Sequence, residues 1–428
     1  MKMNGGFFQL QKHGTTVKKE VTAGMVGFFT IVYVIAVNSL ILSEAGIPFE
    51  GAVFATIVTS FLGCLIMAFW ANMPILLVPG MGINAMFTYT FVQSMGLSWH
   101  EALAAVFISG VAFTIITCTK LADVLNAAIP KTLKEAISVG LGLFLMLIGL
   151  EKGGLVVRGS NALISLGDLN DPMVLSTIIT FIFAIVLFLK GIPGGFLWSI
   201  MFGTGLAALL GILPQPEQSD FSFASYGEVF GAFSFSKIAE LPFWIAVFSL
   251  TMVLVFENIG LVHGHTDFAG QPQKFRKSLQ ANALSAMSSG LLGTSPTVST
   301  VESTAAIAAG GRTGLTTFTA GILFLASAFL IPYMRWIPDN AIAPILILIG
   351  GLMVQNIRNI DLSDLTEAFP AIFIITMIPF TYSIADGMAI GFILYPILKI
   401  FSGKWREISR PLLMIACLFF VNFVLHYI

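Results

Sequence analysis

The sequence predicts an all-α polytopic membrane protein with about fourteen transmembrane segments, and three observations carry that expectation. Hydrophobic residues make up 57% of the 428 and charged residues 10%, whereas soluble domains carry about 25% charged residues; mean hydropathy is +0.92. Most of the chain consists of apolar stretches of about 20 residues, the length one helix needs to cross the hydrocarbon, joined by short connections. Runs such as 28–42 and 178–189 are apolar on every face, unlike barrel strands, whose polarity alternates over about 10 residues.

The first 20 residues are polar with scattered lysines and lack the apolar core of a cleaved leader, so the first hydrophobic segment is expected to remain in the mature protein. A net charge of −1 and the absence of a basic run interleaved with aromatics speak against nucleic acid as a partner. Cys64, Cys118 and Cys417 lie in separate apolar segments without metal-ligand spacing. They read as inert core thiols, and no metal or cofactor is expected.

In chain order the expected spans are 22–43, 50–70, 74–95, 101–119, 134–150, 172–190 and 194–213, followed by a polar stretch from Pro214 to Glu240. They resume at 242–262, 279–293, 296–310, 314–334, 340–356, 367–382 and 385–401. The two sets number seven each, so the second half is inverted relative to the first. A further segment, 412–428, reads either as another crossing or as an interfacial helix behind Lys404, Arg406 and Arg410.

Lysine and arginine collect in cytoplasmic loops. Lys12, Lys18 and Lys19 before the first span share a side with Lys120, Lys131 and Lys134, with Lys190, and with Lys274, Arg276 and Lys277. Glu217, Asp220 and Glu228 fall opposite. This places the amino terminus in the cytoplasm of a cell whose inner or plasma membrane holds the chain.

Inverted repeats mark transporters, whose sites sit where corresponding spans of the two halves are interrupted by Gly or Pro. The third span reads Val78-Pro79-Gly80-Met81-Gly82-Ile83-Asn84-Ala85, and the tenth begins Gly293-Thr294-Ser295-Pro296-Thr297-Val298-Ser299-Thr300. Neither can be an unbroken lipid-facing helix. Backbone freed by such breaks is tolerated only where protein or a water-filled cavity satisfies it, and short extended stretches are expected in both spans.

Charges inside spans sharpen the site, because a carboxylate at the bilayer centre costs about 2.5 to 3.5 kcal/mol even on lenient insertion scales. Glu257 lies within the eighth span, and Glu302 just after the tenth-span break. Each can exchange a proton as the site opens and closes, and each carboxylate can accept two hydrogen bonds from paired N–H donors such as a nucleobase edge. Asn38 in the first span and Asn84 in the third are donors that suit either a ring carbonyl or a neighbouring helix. His263 and His265 are expected in a loop after the eighth span, Arg312 at a helix end, and Asp386 as a cap at the turn between two spans.

At these residues the chain resembles the AzgA-like purine permease branch of the nucleobase:cation symporter and nucleobase-ascorbate transporter superfamily. The specific pieces are Gly310-Gly311-Arg312-Thr313-Gly314-Leu315-Thr316 with Val301-Glu302-Ser303 before it, and the run from Pro379 to Gly387. Pro79 to Ala85, and Ile129-Pro130 through Gly140-Leu141-Gly142, agree as well.

The resemblance implies one transmembrane transporter domain over 1–428, with a core at about 22–119 and 242–334 and a gate at about 134–213 and 340–401. It implies secondary import of purine bases (guanine, hypoxanthine, adenine) by proton symport with alternating access, often as a homodimer. The candidate substrate contacts are then Glu302, Glu257, Asn84, Met81, Gly82, Val301, Ser303 and Asn38, with Glu257 also coupling the proton. In that branch the eighth-span acid is usually an aspartate before a threonine-rich stretch, whereas here Glu257 precedes Asn258, Ile259 and Leu261. A glutamate at this place is the habit of uracil and xanthine relatives, so those bases are the alternative within the class.

Two other classes fit less well. An anion transporter of the same architecture would favour a basic or uncharged site over two acids. An intramembrane enzyme would need HExxH-like ligands or facing aspartates, and neither pattern is present.

Overall fold

The computed structural model describes residues 7–159, 162, 164–214 and 224–427; Glu217 and Asp220 lie outside them. Helices α1 (Val17–Ile31) and α2 (Tyr33–Glu44) form a rod stepped at Val32, and α3 (Phe49–Ile66) runs on as a π-helix to Ala71. Strand β1 (Leu77–Pro79) leads into α4 (Met81–Ala85) and a π-helix over Met86–Ser94. Then come α5 (Trp99–Cys118), α6 (Leu121–Ala128), α7 (Lys131–Lys152), a hairpin of β2 (Val156–Val157) and β3 (Ser165–Leu166), α8 (Pro172–Leu189) and α9 (Gly195–Leu210).

Beyond α10 (Ala224–Val229) the long α11 (Leu241–Phe268) is joined by a tight turn to α12 (Phe275–Leu292). Strand β4 (Thr297–Ser299) and α13 (Ser303–Ala308) follow, then α14 (Gly314–Ala326), α15 (Ile331–Met334), α16 (Asp339–Val354), α17 (Leu365–Thr381), α18 (Ile384–Phe401) and α19 (Arg410–Tyr427). Among the described residues nine helices, some continued across a short kink, are long and apolar enough to cross a membrane, so this is a multi-pass membrane protein.

The two Gly/Pro-interrupted segments are indeed broken, and their extended pieces pair. β1 and β4 run antiparallel, with Leu77 opposite Ser299, Val78 opposite Val298 and Pro79 opposite Thr297. Gly80 permits the approach, since a Cβ there would stand 2.7 Å from Val298 Cγ2. Elsewhere small residues bring helices together, as in many membrane bundles. A Cβ on Gly110 of α5 would meet Met287 Cα of α12 at 2.3 Å, and one on Gly350 of α16 would meet the Gly142 carbonyl oxygen of α7 at 2.4 Å.

Several expectations need correction. The first helix starts at Val17, capped by the Thr16 hydroxyl, rather than near residue 22. Its Glu20 is buried and accepts from the main-chain N–H groups of Arg312 (3.0 Å) and Thr313 (3.1 Å), and from the hydroxyls of Thr313 (2.8 Å) and Thr316 (2.6 Å). Arg312 does sit at a helix end, its guanidinium donating to the Ile307 and Gly311 carbonyls as α13 finishes. The cap at the start of α18 is Ser383, whose hydroxyl accepts from the Asp386 N–H. Cys64 is buried, but Cys118 and Cys417 are exposed rather than core residues. The segment after 410 is a helix with Leu412, Ile415, Ala416 and Phe419 buried on one face.

Removing the Glu20 carboxylate leaves buried donors unmet, at about 1 to 3 kcal/mol for each such group. Glu20→Ala is expected to lower the unfolding temperature of the purified protein by several degrees. Thr319→Ala on α14, one turn beyond the Glu20 donor Thr316 and with its hydroxyl bonded to the Leu315 carbonyl of its own helix, should change it little; equal effects would contradict the assigned role of Glu20.

Candidate functional site

The strand pair leaves backbone inside the bundle, and side chains of the surrounding helices satisfy it. The serines of α12 face β4: Ser289 Oγ accepts from the Thr297 N–H at 2.9 Å, and Ser285 shares a hydrogen bond with the Thr297 hydroxyl. Ser303 bonds both the N–H (3.2 Å) and the carbonyl (3.3 Å) of Leu76, just before β1. From α11, Asn258 accepts through Oδ1 from the Ser299 N–H at 3.2 Å and from the Asn282 amide at 2.6 Å. Its own amide is fixed on the Leu254 carbonyl at 2.8 Å.

α11 does not end at residue 262 but continues to Phe268, so His263 and His265 are helical rather than loop residues. His265 is buried, with Nδ1 2.9 Å from the Ser299 hydroxyl oxygen. Ser299 is therefore held at its N–H by Asn258 and at its hydroxyl by His265. Sequence alone gave His265 no such place, because Gly264 and flanking polar residues imitate a loop.

A cavity of about 1080 Å³ opens beside the strand pair. One stripe of α11, Val253, Phe256, Glu257, Gly260 and Leu261, faces it at i, i+3, i+4, i+7 and i+8. Met81, Gly82, Val301 and Glu302 also line it, with Thr300 and Tyr33. Tyr33 was not singled out from sequence, yet its hydroxyl donates to Glu302 Oε1 at 2.6 Å while its ring packs edge-on against Phe196, centroids 5.0 Å apart. Glu302 is thus held in one orientation. Glu257 is not: its Oε2 is buried without a protein partner among the described residues, as is the Thr300 hydroxyl. Two unmet polar atoms and one oriented carboxylate border the same space.

The remaining candidates lie outside the cavity wall. Asn38 is fully buried and spent on its neighbours, donating to Thr56 (2.8 Å) and Thr294 (3.0 Å) and accepting from Ser295 (3.0 Å). Asn84 donates to the Asn38 carbonyl at 3.3 Å. Ser303 serves Leu76, as above. All three tie the broken segments to the first helix rod and to one another.

The cavity reaches the end of α7 that carries Lys131, Lys134 and Glu135, where Asn356 and Asn359 also line it. The other end of α7 is tied across the bundle. Lys152 pairs with Glu44 at the end of α2 and lies 3.4 Å from Asp339 at the start of α16. Tyr89 donates to Glu44 at 2.9 Å, and Tyr382 donates to Glu151. None of these groups lines the cavity.

The sequence signature of the Permease family (Xan_ur_permease) matches residues 18–424. The chain is 48% identical to "Nucleobase transporter PlAzg2" of Paenibacillus larvae over 381 residues, 88% of this chain and 76% of that one. It is 37% identical to "Guanine/hypoxanthine permease PbuO" of Bacillus subtilis (97% and 99% covered) and 34% identical to "Adenine permease AdeP" of Escherichia coli (97% and 95% covered). Among solved structures, its fold is similar to the transmembrane domain of the cyanobacterial bicarbonate transporter BicA, with a TM-score of 0.63, 14% identity and coverage of 86% of this chain and 96% of that one. Murine Slc26a9, an anion transporter in the inward-facing state, gives 0.68 at 10% identity over 90% and 68%. Match over nearly its whole length and identity to curated permeases together establish that this chain belongs to the Permease family (Xan_ur_permease), whose AzgA-like purine permeases it resembles.

Proposed function

We propose that this chain is a secondary transporter that imports purine nucleobases (guanine, hypoxanthine or adenine) by proton symport with alternating access. The observation that carries the proposal is the presence of two unlike carboxylates on one cavity: Glu302, oriented by Tyr33, and Glu257, whose Oε2 has no partner among the described residues. An oriented carboxylate accepts paired N–H groups of a base edge, and an unpartnered one can take up a proton from the open side and release it on the other. The named substrates of PbuO and AdeP support a purine. Glu257 in place of the branch's usual aspartate keeps xanthine and uracil as the alternative. The bicarbonate and anion transporters share the fold, but two carboxylates on the cavity oppose an anionic substrate.

The fourteen-span inverted repeat belongs to the same proposal. Nine long apolar helices, the shorter Gly195–Leu210 and Leu365–Thr381, the serine-rich α12 and the two strand-broken segments would make up that number. The antiparallel β1–β4 pair at matching places in the halves supports it. Lys131 and Lys134 at the cavity mouth support an inward-facing state with a cytoplasmic amino terminus. In that state Lys152, Glu44 and Asp339 close the outer side, joining the core to the gate.

Uptake of labelled bases by cells lacking their own permeases tests the function. Purine accumulation that collapses with a protonophore is expected; accumulation unaffected by it would refute proton coupling. Loss of a charge-assisted hydrogen bond, about 1.5 to 3 kcal/mol, should make Glu302→Gln bind purine about 10- to 100-fold more weakly. Glu257→Gln should bind and exchange but not accumulate. Normal transport by Glu302→Gln would overturn the site.

The outer ion pair has its own test. In a background without native cysteines, Val34→Cys on the cavity wall should be poorly labelled from outside by an impermeant thiol reagent. Adding Lys152→Met should raise labelling about five-fold, as expected for a pair worth about 1 kcal/mol. Unchanged labelling would show that the pair does not hold the outer side shut.

A further inference from the structure

Three lysines and a histidine from two distant parts of the chain meet at the end of the bundle where α1, α12 and α14 begin and α3 and α11 end. Lys12 and His13 stand on the turn that Gln9 and Gln11 close with their carbonyls. Lys274 and Lys277 come from the α11–α12 connection and the first turn of α12. Asn72, left-handed at φ 50°, gathers the pieces. Its amide donates to the Phe8 carbonyl at 3.2 Å, its side-chain oxygen accepts from the Gly314 N–H at 2.7 Å, and its main-chain carbonyl accepts from Lys274 Nζ at 2.7 Å.

Glu20, the acid whose field reaches both His13 and Lys274, offers little relief. It is buried and its oxygens are taken by Arg312, Thr313 and Thr316. The crowding is evident in the side chains themselves. Lys274 is pushed down to about 8 by burial and then by Lys12 and Lys277. His13 is lowered by burial, then by Lys274 and Lys12. Like charges held together at such a cost are the setting for a bound anion.

What lies beside them identifies the anion's source. Phe7, Phe8, Phe69 and Phe318 form a ring cluster, with Phe7–Phe69 centroids 5.3 Å apart and Phe69–Phe318 5.8 Å. Phe7, Phe69 and Trp70 are exposed. An exposed tryptophan such as Trp70 next to cations at helix ends marks the depth of the lipid headgroups, with the phenylalanines on the acyl-chain side, and basic clusters at that depth attract acidic lipids. We propose that Lys12, His13, Lys274 and Lys277 form a headgroup site for an anionic phospholipid, whose phosphate neutralises the three lysines and accepts a hydrogen bond from the His13 ring while its acyl chains lie along Phe7, Phe69 and Trp70. The bound lipid fastens the ends of α1, α3, α11, α12 and α14 to the membrane plane, and of these α3, α11 and α12 pack against β1 or β4. The site is independent of which substrate is carried.

The test is thermal unfolding and native mass spectrometry of the purified full chain in neutral detergent, with added phosphatidylglycerol, phosphatidylcholine or inorganic phosphate. Phosphatidylglycerol should raise the unfolding temperature more than phosphatidylcholine and remain bound in the gas phase, and phosphate should give no comparable shift. Each lysine changed to glutamine should weaken phosphatidylglycerol binding about five-fold. Lys277→Gln alone, at an exposed side chain, keeps the test valid if a Lys12, Lys274, Lys277 triple variant does not fold. Equal stabilisation by the two lipids, or undiminished phosphatidylglycerol binding by Lys277→Gln, would overturn the site. An equal shift with inorganic phosphate would overturn the lipid in favour of a soluble anion.

Discussion

Extended backbone cannot face lipid, because every N–H and C=O in the hydrocarbon region needs a partner. The β1–β4 pair meets this requirement in part by joining one broken segment to the other. Three residues a side are too few to satisfy all of it, so helices around the pair contribute polar side chains: Ser289 from α12, Asn258 from α11 and Ser303 from the start of α13. Much of what is unusual in the composition of these helices follows. α12 is serine-rich because it backs a strand, and α11 carries Asn258 next to Glu257 because one residue holds the strand while the other faces the cavity.

That division of labour explains why the two acids differ. Glu302 lies three residues after β4 and accepts from Tyr33 at 2.6 Å, so its carboxylate is held in one orientation. Glu257 sits on a continuous helix whose position is fixed through its neighbour, and its own Oε2 has no partner among the described residues. A ligand bridging the two would therefore meet one rigid acceptor and one adaptable group. His265, two turns further along α11, holds Ser299 and so ties the helix bearing Glu257 to the strand that precedes Glu302.

Much of this was legible in the sequence. Pro79-Gly80 and Gly293 to Pro296 announce interrupted helices by their backbone limits alone, and a carboxylate in an apolar span is costly enough to point to a cavity. Facing was not legible. A buried asparagine serves a neighbouring helix as readily as a ligand; Asn38 and Asn84 both bond neighbouring elements, and Asn84 keeps its Oδ1 without a partner among the described residues. Tyr33 and Thr300 are ordinary residues in an apolar or strand-like run until the fold sets them on the cavity wall. His265 was hidden by its glycine neighbour, and the start of the first helix by Lys18 and Lys19, which read as a loop although Thr16 caps a helix there. Cys118 and Cys417 show the limit of hydropathy in a membrane chain, where an apolar segment also has an outer face.

In the proposed transporter, the strand pair braced by polar side chains sets the geometry of the base site. The most direct measurement is purine binding to purified Asn258→Leu, a substitution of the same branched shape that removes the acceptor of the Ser299 N–H while leaving both glutamates in place. Thermal stabilisation by guanine, hypoxanthine or adenine should be lost with helical content unchanged. Undiminished stabilisation by any purine that stabilises the parent protein would contradict the account.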